Sequence, residues 1–282
     1  MDKNKQQTVG PGLYLVSTPI GNMEDISLRS LNILKKSDII LCEDTRRSIK
    51  LLSNFQIKSK LLSYHKFNEK KISDQIISTI KNDKIVSLIS DAGTPAISDP
   101  GVVIINRCIN ENLKIYPIPG PSAVTSALSV SGFSDKYLFY GFLPKTENEL
   151  EKILTALSNI DYSIIFFIPS KKNKFYISRF KHHFFDRKIL IAKEMTKIHE
   201  QYFRGAVSSL NLLEKTLKGE LTVVLSEKIK GKNIKKKIDE SVKVEIIKML
   251  KKYSHKDVVE FISKKENLPK KMIYDFCLKL KK

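Results

Sequence analysis

Two short apolar runs, each ending in a loop of glycine, proline and small polar residues, constrain this chain more than any other feature. The first is Ile85-Val86-Ser87-Leu88-Ile89-Ser90, which leads into Asp91-Ala92-Gly93-Thr94-Pro95-Ala96-Ile97-Ser98-Asp99-Pro100-Gly101. The second is Lys114-Ile115-Tyr116-Pro117-Ile118, which leads into Pro119-Gly120-Pro121-Ser122-Ala123. Each loop opens a helical run. Strand, helix, strand in this order is a parallel β-α-β unit, and ligands of such units bind outside the carboxyl ends of the strands. Asp99 before Pro100 reads as a helix N-cap followed by a first-turn proline. Small residues in these loops let a ligand approach the main chain closely.

The same alternation runs through the first half of the chain. Leu13–Val16, Asp38–Cys42 and Leu61–Tyr64 read as further strands, with helices at about Ile26–Lys36, Thr45–Phe55, Lys70–Asn82 and Pro121–Ser131. It pauses at Gly132-Phe133-Ser134-Asp135, which sets an expected boundary. Beyond it, Tyr137–Leu143, Tyr162–Ile168, Ile189–Glu194 and Leu221–Leu225 are strand-like. Helical patterns separate them near Glu147–Ser158, Lys172–Phe184 and Val207–Lys218, and Gln201–Gly205 reads as an added antiparallel strand, so the second sheet is expected to be mixed. Glu227–Asp239 is a lysine-rich stretch read as a mobile linker. Val242–Lys252, His255–Lys264 and Lys270–Leu280 then form three short helical patterns, a helix-turn-helix-like tail or a solvated cap on the second domain. The expected class is therefore α/β: an N-terminal domain over 13–131 with a parallel sheet, a second domain over 132–227, and a basic linker and helical tail over 228–282.

No apolar run approaches the roughly 18 residues of a membrane helix, and Met1–Gly10 has no signal-like apolar core. Cys42, Cys108 and Cys277 are odd in number and sit in apolar patterns, as expected of reduced, buried thiols in a cytoplasmic protein. The net charge of +20 points to a polyanionic partner, although lysine is abundant throughout, as in a chain with compositional drift. From Lys228 onward there are 18 lysines against 7 acidic residues, so the excess is concentrated in the tail.

Neither G-x-G-x-x-G nor a P-loop nor a G-x-S-x-G elbow occurs, which argues against dinucleotide, ATP and serine-hydrolase chemistry. The five histidines have no metal-ligand spacing, so no metal is expected. His182-His183 reads as surface, whereas His65 leaves a strand end beside Asn68 and Glu69. The residues alone thus define a two-domain α/β protein with a crevice near Asp91–Thr94 that binds an anionic polymer.

Thr18-Pro19-Ile20-Gly21-Asn22, Glu43-Asp44-Thr45-Arg46, Ser90–Pro95 with Ser98–Gly101, and Pro119–Ala123, in this order and at these separations, closely resemble the ribosomal small subunit methyltransferase I family of the tetrapyrrole methylase superfamily. The resemblance spans about Leu13–Leu225, and the tail is similar to that family's C-terminal segment. It implies two α/β domains with S-adenosylmethionine in the cleft between them, a homodimer, and 2′-O-methylation of a decoding-centre cytidine in 16S rRNA within the small subunit. Cofactor contacts implied are Pro19, Asp91, Ala92, Gly93, Thr94, Ile97, Ser122, Ala123 and Phe167, with contributions from Ile168 and Gly219–Thr222. A tetrapyrrole methylase and a non-catalytic rRNA-binding assembly factor are the alternatives.

A ribose hydroxyl needs a base to take its proton, and His65, Glu43 and Asp44 are the candidates, all at carboxyl ends of first-domain strands. Arg46, Arg47 and Asn68 are the expected RNA contacts. The alternative for Glu43–Arg46 is a helix start with an acidic cap and a local ion pair. Two departures from the family pattern stand out. Phe167-Ile168-Pro169-Ser170-Lys171-Lys172 has Ile168 where many relatives carry Glu and two lysines for a His-Arg pair, and His65-Lys66-Phe67-Asn68 keeps only the first histidine of a His-x-His-Asn loop.

Overall fold

The computed structural model describes residues 9–210, 219–229, 240–250, 252–266, 268 and 270–280. The chain divides into two compact units between Ile229 and Lys230.

The first unit holds two five-stranded sheets. Strands β1 (Gly12–Val16), β2 (Ile39–Cys42), β3 (Lys60–Ser63), β4 (Ile85–Leu88) and β5 (Ile115–Ile118) form the first, in the order β3-β2-β4-β1-β5. Every pairing in it is parallel. Helices α1 (Leu28–Lys36), α2 (Thr45–Asn54), α3 (Glu69–Lys81) and α4 (Val102–Asn110) cover both faces, the arrangement a parallel sheet needs. Alternate residues sort to opposite faces: Leu13, Leu41 and Leu88 pack with Ile76, Ile80 and Ile104, while Tyr14, Ile40 and Cys42 pack with Leu34, Leu51 and Leu52. Ser27 starts α1 by accepting the Ser30 N–H, and Asp44 starts α2 by accepting that of Arg46.

Asp99 does not cap α4. Gly101 holds that position at φ +147°, and a Cβ there would lie 2.9 Å from Ala96 Cβ and Leu88 Cδ2. The expected Asp99 cap is absent because the turn is closed by the fit of a glycine against the core, not by a side-chain hydrogen bond.

Helix α5 (Ala123–Ser129) follows β5 but packs on the other sheet, where Val124 and Ala127 cluster with Ile165, Leu190, Ala192 and Val224. That sheet comprises β6 (Tyr137–Phe142), β7 (Ser163–Pro169), β8 (Lys188–Lys193), β9 (Gln201–Ala206) and β10 (Glu220–Leu225), ordered β6-β7-β10-β8-β9. It is mixed: β6 and β7 pair in parallel and the rest are antiparallel, including the added strand β9. Helices α6 (Glu147–Ser158) and α7 (Asn173–His183) cover its other face around Phe166, Phe180 and Phe184. His183 is less exposed than the sequence suggested, because its ring nitrogen meets Glu151 at 2.7 Å across these two helices. The expected helix over Val207–Lys218 is only a 3₁₀ turn over Val207–Ser209 in its described part, and 211–218 lie outside the described residues.

Arg187 is wholly buried just before the start of β8. Its guanidinium donates to the carbonyls of Tyr162 at 2.9 Å, Ser226 at 2.8 Å, Ser158 at 3.3 Å and Ile160. The linker reading began too early: Glu227 accepts the Ser134 N–H, Lys228 N–H donates to Asp161, and Ile229 N–H to the Asp186 carbonyl. Residues 230–239, the rest of that stretch, lie outside the described residues.

The second unit contains α8 (Glu240–Leu250), α9 (His255–Glu266) and α10 (Lys270–Lys279) around Val242, Ile246, Val258, Ile262, Ile273 and Cys277. Ser254 caps α9: its hydroxyl accepts the Asp257 N–H at 3.3 Å and donates to the Asp257 carboxylate at 2.6 Å. All three cysteines are buried and free, and among the described residues no helix is long and apolar enough to cross a membrane.

Candidate active site

Three loops of the first sheet are joined at the carboxyl ends of the adjacent strands β4, β1 and β5. Thr18, after β1, exchanges backbone hydrogen bonds with Gly93, after β4, and its hydroxyl donates to the Ser90 carbonyl at 3.1 Å. Thr94 links onward, sharing a hydrogen bond with Ser17 Oγ at 3.1 Å and donating to the Pro121 carbonyl at 3.3 Å after β5. Gly93 sits at φ +79° with a Cβ position 3.3 Å from Ile20, so the chain here is packed against its neighbour with no side chain between.

The second sheet reaches these loops from the other side. The turn after β8 docks on the loop after β1, where Thr196 Oγ1 accepts the Asn22 N–H at 3.0 Å. Gly21 leaves room for it: a Cβ there would lie 2.6 Å from that hydroxyl. Glu194 at this turn accepts the Glu220 N–H at 2.7 Å and pairs with Lys197 at 3.1 Å.

Between the two sheets lies a cavity of about 520 Å³, within the range of small-molecule sites. Its first wall carries Asp91, Ala92, Gly93, Thr94, Ile97, Ser122 and Ala123, and its second carries Phe167. Eight of the nine cofactor positions expected from the resemblance therefore meet at one place. Pro19 is the ninth; it is buried and absent from the lining, which takes its neighbour Ile20 instead. Ile168 and Gly219–Thr222 also lie at this wall. Phe167 stands edge-on to Phe139 and 5.4 Å from the exposed Phe142, giving the second wall an aromatic surface.

Ile168 is buried in the core of the second sheet, so a carboxylate at that position would lie in an apolar setting. Lys171 lines the cavity, as does Arg47, which pairs with Asp91 at 3.1 Å. Asp91 also accepts the Asp44 N–H at 3.3 Å, so its carboxylate is oriented from two sides.

The three candidate bases do not line the cavity. Asp44 caps α2 and holds the Arg46 guanidinium with both oxygens, at 3.1 and 2.8 Å; this hydrogen bonding keeps its carboxyl down at about 2. The local cap and ion pair thus describe Asp44 and Arg46. His65 accepts the Phe67 N–H through Nδ1 at 3.3 Å. Asn68 closes the same loop, accepting the His65 N–H at 2.8 Å and donating to the Ser63 carbonyl at 3.0 Å. Of the expected RNA contacts, Arg47 alone reaches the cavity wall. Glu43 is exposed beside it, and its charge acts on Asp99.

Ser98, Asp99, Phe142, Lys171 and Met195 also line the cavity. Three of them carry a sign in the sequence: Ser98 and Asp99 in the Ser98–Gly101 motif, and Lys171 at a departure from the family pattern. Nothing in the order of residues signals Phe142 or Met195, which arrive through sheet pairing and a docked turn.

The fold and this cavity define a methylase of the tetrapyrrole class, and residues 12–211 match the family described as Tetrapyrrole (Corrin/Porphyrin) Methylases. A ribosomal RNA small subunit methyltransferase I from Thermotoga maritima is 43% identical over 219 residues, 77% of this chain and 98% of that relative. Another of that name, from Rickettsia prowazekii, is 40% identical over 275 residues, 96% of this chain and 97% of its own. The chain belongs to the ribosomal RNA small subunit methyltransferase I family of tetrapyrrole methylases. Its fold matches that of uroporphyrin-III C-methyl transferase from Thermus thermophilus complexed with S-adenyl homocysteine, with a TM-score of 0.55 at 12% identity over 77% of this chain and 97% of that one.

Proposed function

We propose that the cavity binds S-adenosylmethionine and that the enzyme methylates the ribose 2′-hydroxyl of a decoding-centre cytidine in 16S rRNA, acting in the cytoplasm as a homodimer on the small ribosomal subunit. The observation that carries this is the convergence of the expected donor-binding residues on a single cavity walled by both sheets. The relatives named for the rRNA activity and the homocysteine-containing fold neighbour support it.

The cavity is suited to such a ligand. Gly93 presents main chain to it, Asp91 offers an oriented carboxylate, and Phe142 and Phe167 offer apolar rings. When bound, the cofactor supplies a methyl group on a sulfonium, which is displaced in line. The protein's share is alignment and exclusion of water, which the two apposed sheets provide. Arg47 and Lys171 add positive charge from opposite walls, suited to RNA phosphates.

The test is methylation of small subunits prepared from cells lacking the gene, followed by nuclease mapping and mass spectrometry of the 16S rRNA. One methyl on a cytidine ribose is expected. Methyl on a base, or no incorporation into RNA, overturns the reading.

A further inference from the structure

Asp99 lines the cavity and does not cap the helix that follows it. Sequence gives it a capping task that Gly101 performs instead. The intervening loop is tightly wound: Ala96 and Ser98 both lie in the left-handed region, at φ 64° and 69°, a conformation that costs non-glycine residues of order 1 kcal/mol or more. That winding places residues 97–99 on the cavity wall.

The charged groups around it can be named from each side. Asp91 lies on the same loop, its charge shared with Arg47 from α2; Glu43 stands at the end of β2; Lys171 and Glu220 line the cavity from the second sheet. The Ser90 hydroxyl donates within the loop to the Ala92 and Gly93 carbonyls, at 3.2 and 3.3 Å, and its proximity only slightly offsets the upward shift of Asp99. Among the described residues Asp99 makes no ion pair. Burial, then the negative charges of Glu43 and Asp91, push its carboxyl up to about 6.

We infer that Asp99 is the general base of the methyl transfer, the group that takes the proton of the acceptor hydroxyl beside the bound donor. This rests on the function proposed above. The proton passes from the 2′ oxygen to the Asp99 carboxylate while that oxygen bonds to the methyl carbon. The methyl–sulfur bond breaks with its electron pair left on sulfur, so the sulfonium becomes a neutral thioether, and Asp99 then returns its proton to water. A base works best when its pKa lies near the working pH, and Asp99 is ionised at neutrality yet not strongly acidic. Asp44 and His65 are held in local structure, and neither they nor Glu43 line the cavity.

The experiment compares wild type, Asp99→Asn and Asp99→Glu as full-length proteins. It measures single-turnover methyl transfer to small subunits from pH 5 to 9 at saturating S-adenosylmethionine, with cofactor affinity by calorimetry. Wild type is expected to gain rate through a midpoint near 6 and then level. Asp99→Asn should keep its cofactor affinity within about twofold and lose about 10²–10⁴-fold in rate, the usual share of a general base, along with that midpoint. Asp99→Glu, which keeps a carboxyl, should recover part of the rate. A variant Asp99→Asn with wild-type rate or an unchanged midpoint overturns the assignment, as does a loss of cofactor affinity matching the loss of rate. Wild type that transfers no methyl to ribose sinks the proposed function and this inference together, and that result is read in the wild-type arm alone.

Discussion

Thr18 and Gly93 hold each other through two backbone hydrogen bonds, Thr18 N–H to the Gly93 carbonyl at 2.9 Å and Gly93 N–H to the Thr18 carbonyl at 3.0 Å. The bridge fixes the loops after two neighbouring strands relative to each other, and with them the first wall of the cavity. A side chain at Gly93 would meet both an unfavourable φ of +79° and Ile20. Gly93→Ala is expected to lower stability by about 1–2 kcal/mol and to weaken cofactor binding about tenfold or more. Denaturant unfolding and calorimetry check the two effects separately. Gly93→Asn should be milder in stability, because asparagine tolerates the left-handed region better.

Gly219 and Glu194 form a coupled pair across the second wall. A Cβ at Gly219, where φ is +94°, would lie 2.5 Å from the Glu194 carboxyl. Gly219→Ala should therefore cost about 2–3 kcal/mol, part steric and part backbone strain. Adding Glu194→Ala removes the collision but not the strain, so the double variant should be less destabilised than the sum of the two single changes. A double-mutant cycle in urea measures this, and strict additivity would contradict the geometry.

Asp99 makes stability depend on pH in a direction opposite to that of a paired carboxylate. Its carboxyl titrates at 3.8 in the ordinary reference state and about 6 in the fold, so the folded state holds the proton more tightly. Stability contributed by this group is therefore present below about pH 4 and is lost as pH rises through about 6. Asp99→Asn removes the burden of a half-buried charge. It should stabilise the protein at pH 7.5 by about 1–3 kcal/mol, with the advantage vanishing near pH 4. Thermal unfolding of both proteins across this window is the measurement.

Arg187 gathers carbonyls from the end of α6, the start of β7 and the end of β10 into one buried guanidinium. Arg187→Met leaves those carbonyls without their donor and should cost about 3–5 kcal/mol, read as a lower urea midpoint. Methyl transfer per folded molecule should be unchanged, since Arg187 does not line the cavity.

The segment beyond Ile229 carries 17 lysines against 7 acidic residues. Removing 230–282 should weaken RNA binding and flatten its dependence on salt, because fewer counterions are released. Ending at Ile229 keeps the docked Glu227–Ile229 contacts. Affinity measured at two salt concentrations tests it; an unchanged salt slope would make the charge incidental.

The fold was largely legible because its signals are local. Apolar runs ending at Val16, Ser90 and Ile118 mark strands whose ends converge in a parallel sheet, and β9 announced itself through Gln201–Gly205. The first wall of the cavity was legible for the same reason, being written in contiguous loops. Asp44, Asn68 and His65 could not be placed from sequence because the same side chains serve capping, loop closure and catalysis, and only their partners, here local ones, show which surroundings each has. Phe142 and Met195 left no sign, since they enter the cavity through pairing and docking of distant segments. Asp99 was visible as a residue but was assigned to a task that a glycine performs.

Helix α5 leaves the first sheet and buries Val124 and Ala127 against the second. The peptide that carries Ser122 and Ala123 is thus rooted at both ends in different layers, like a stitch drawn through two cloths. Parting the layers would pull those side chains from Ile165, Leu190 and Val224 into water. The width of the cavity is consequently set by the core itself before any ligand arrives. A ligand of either sheet's loops meets a cavity already cut to size, and a change that widens it must first disrupt the packing of Val124 and Ala127 on the second sheet.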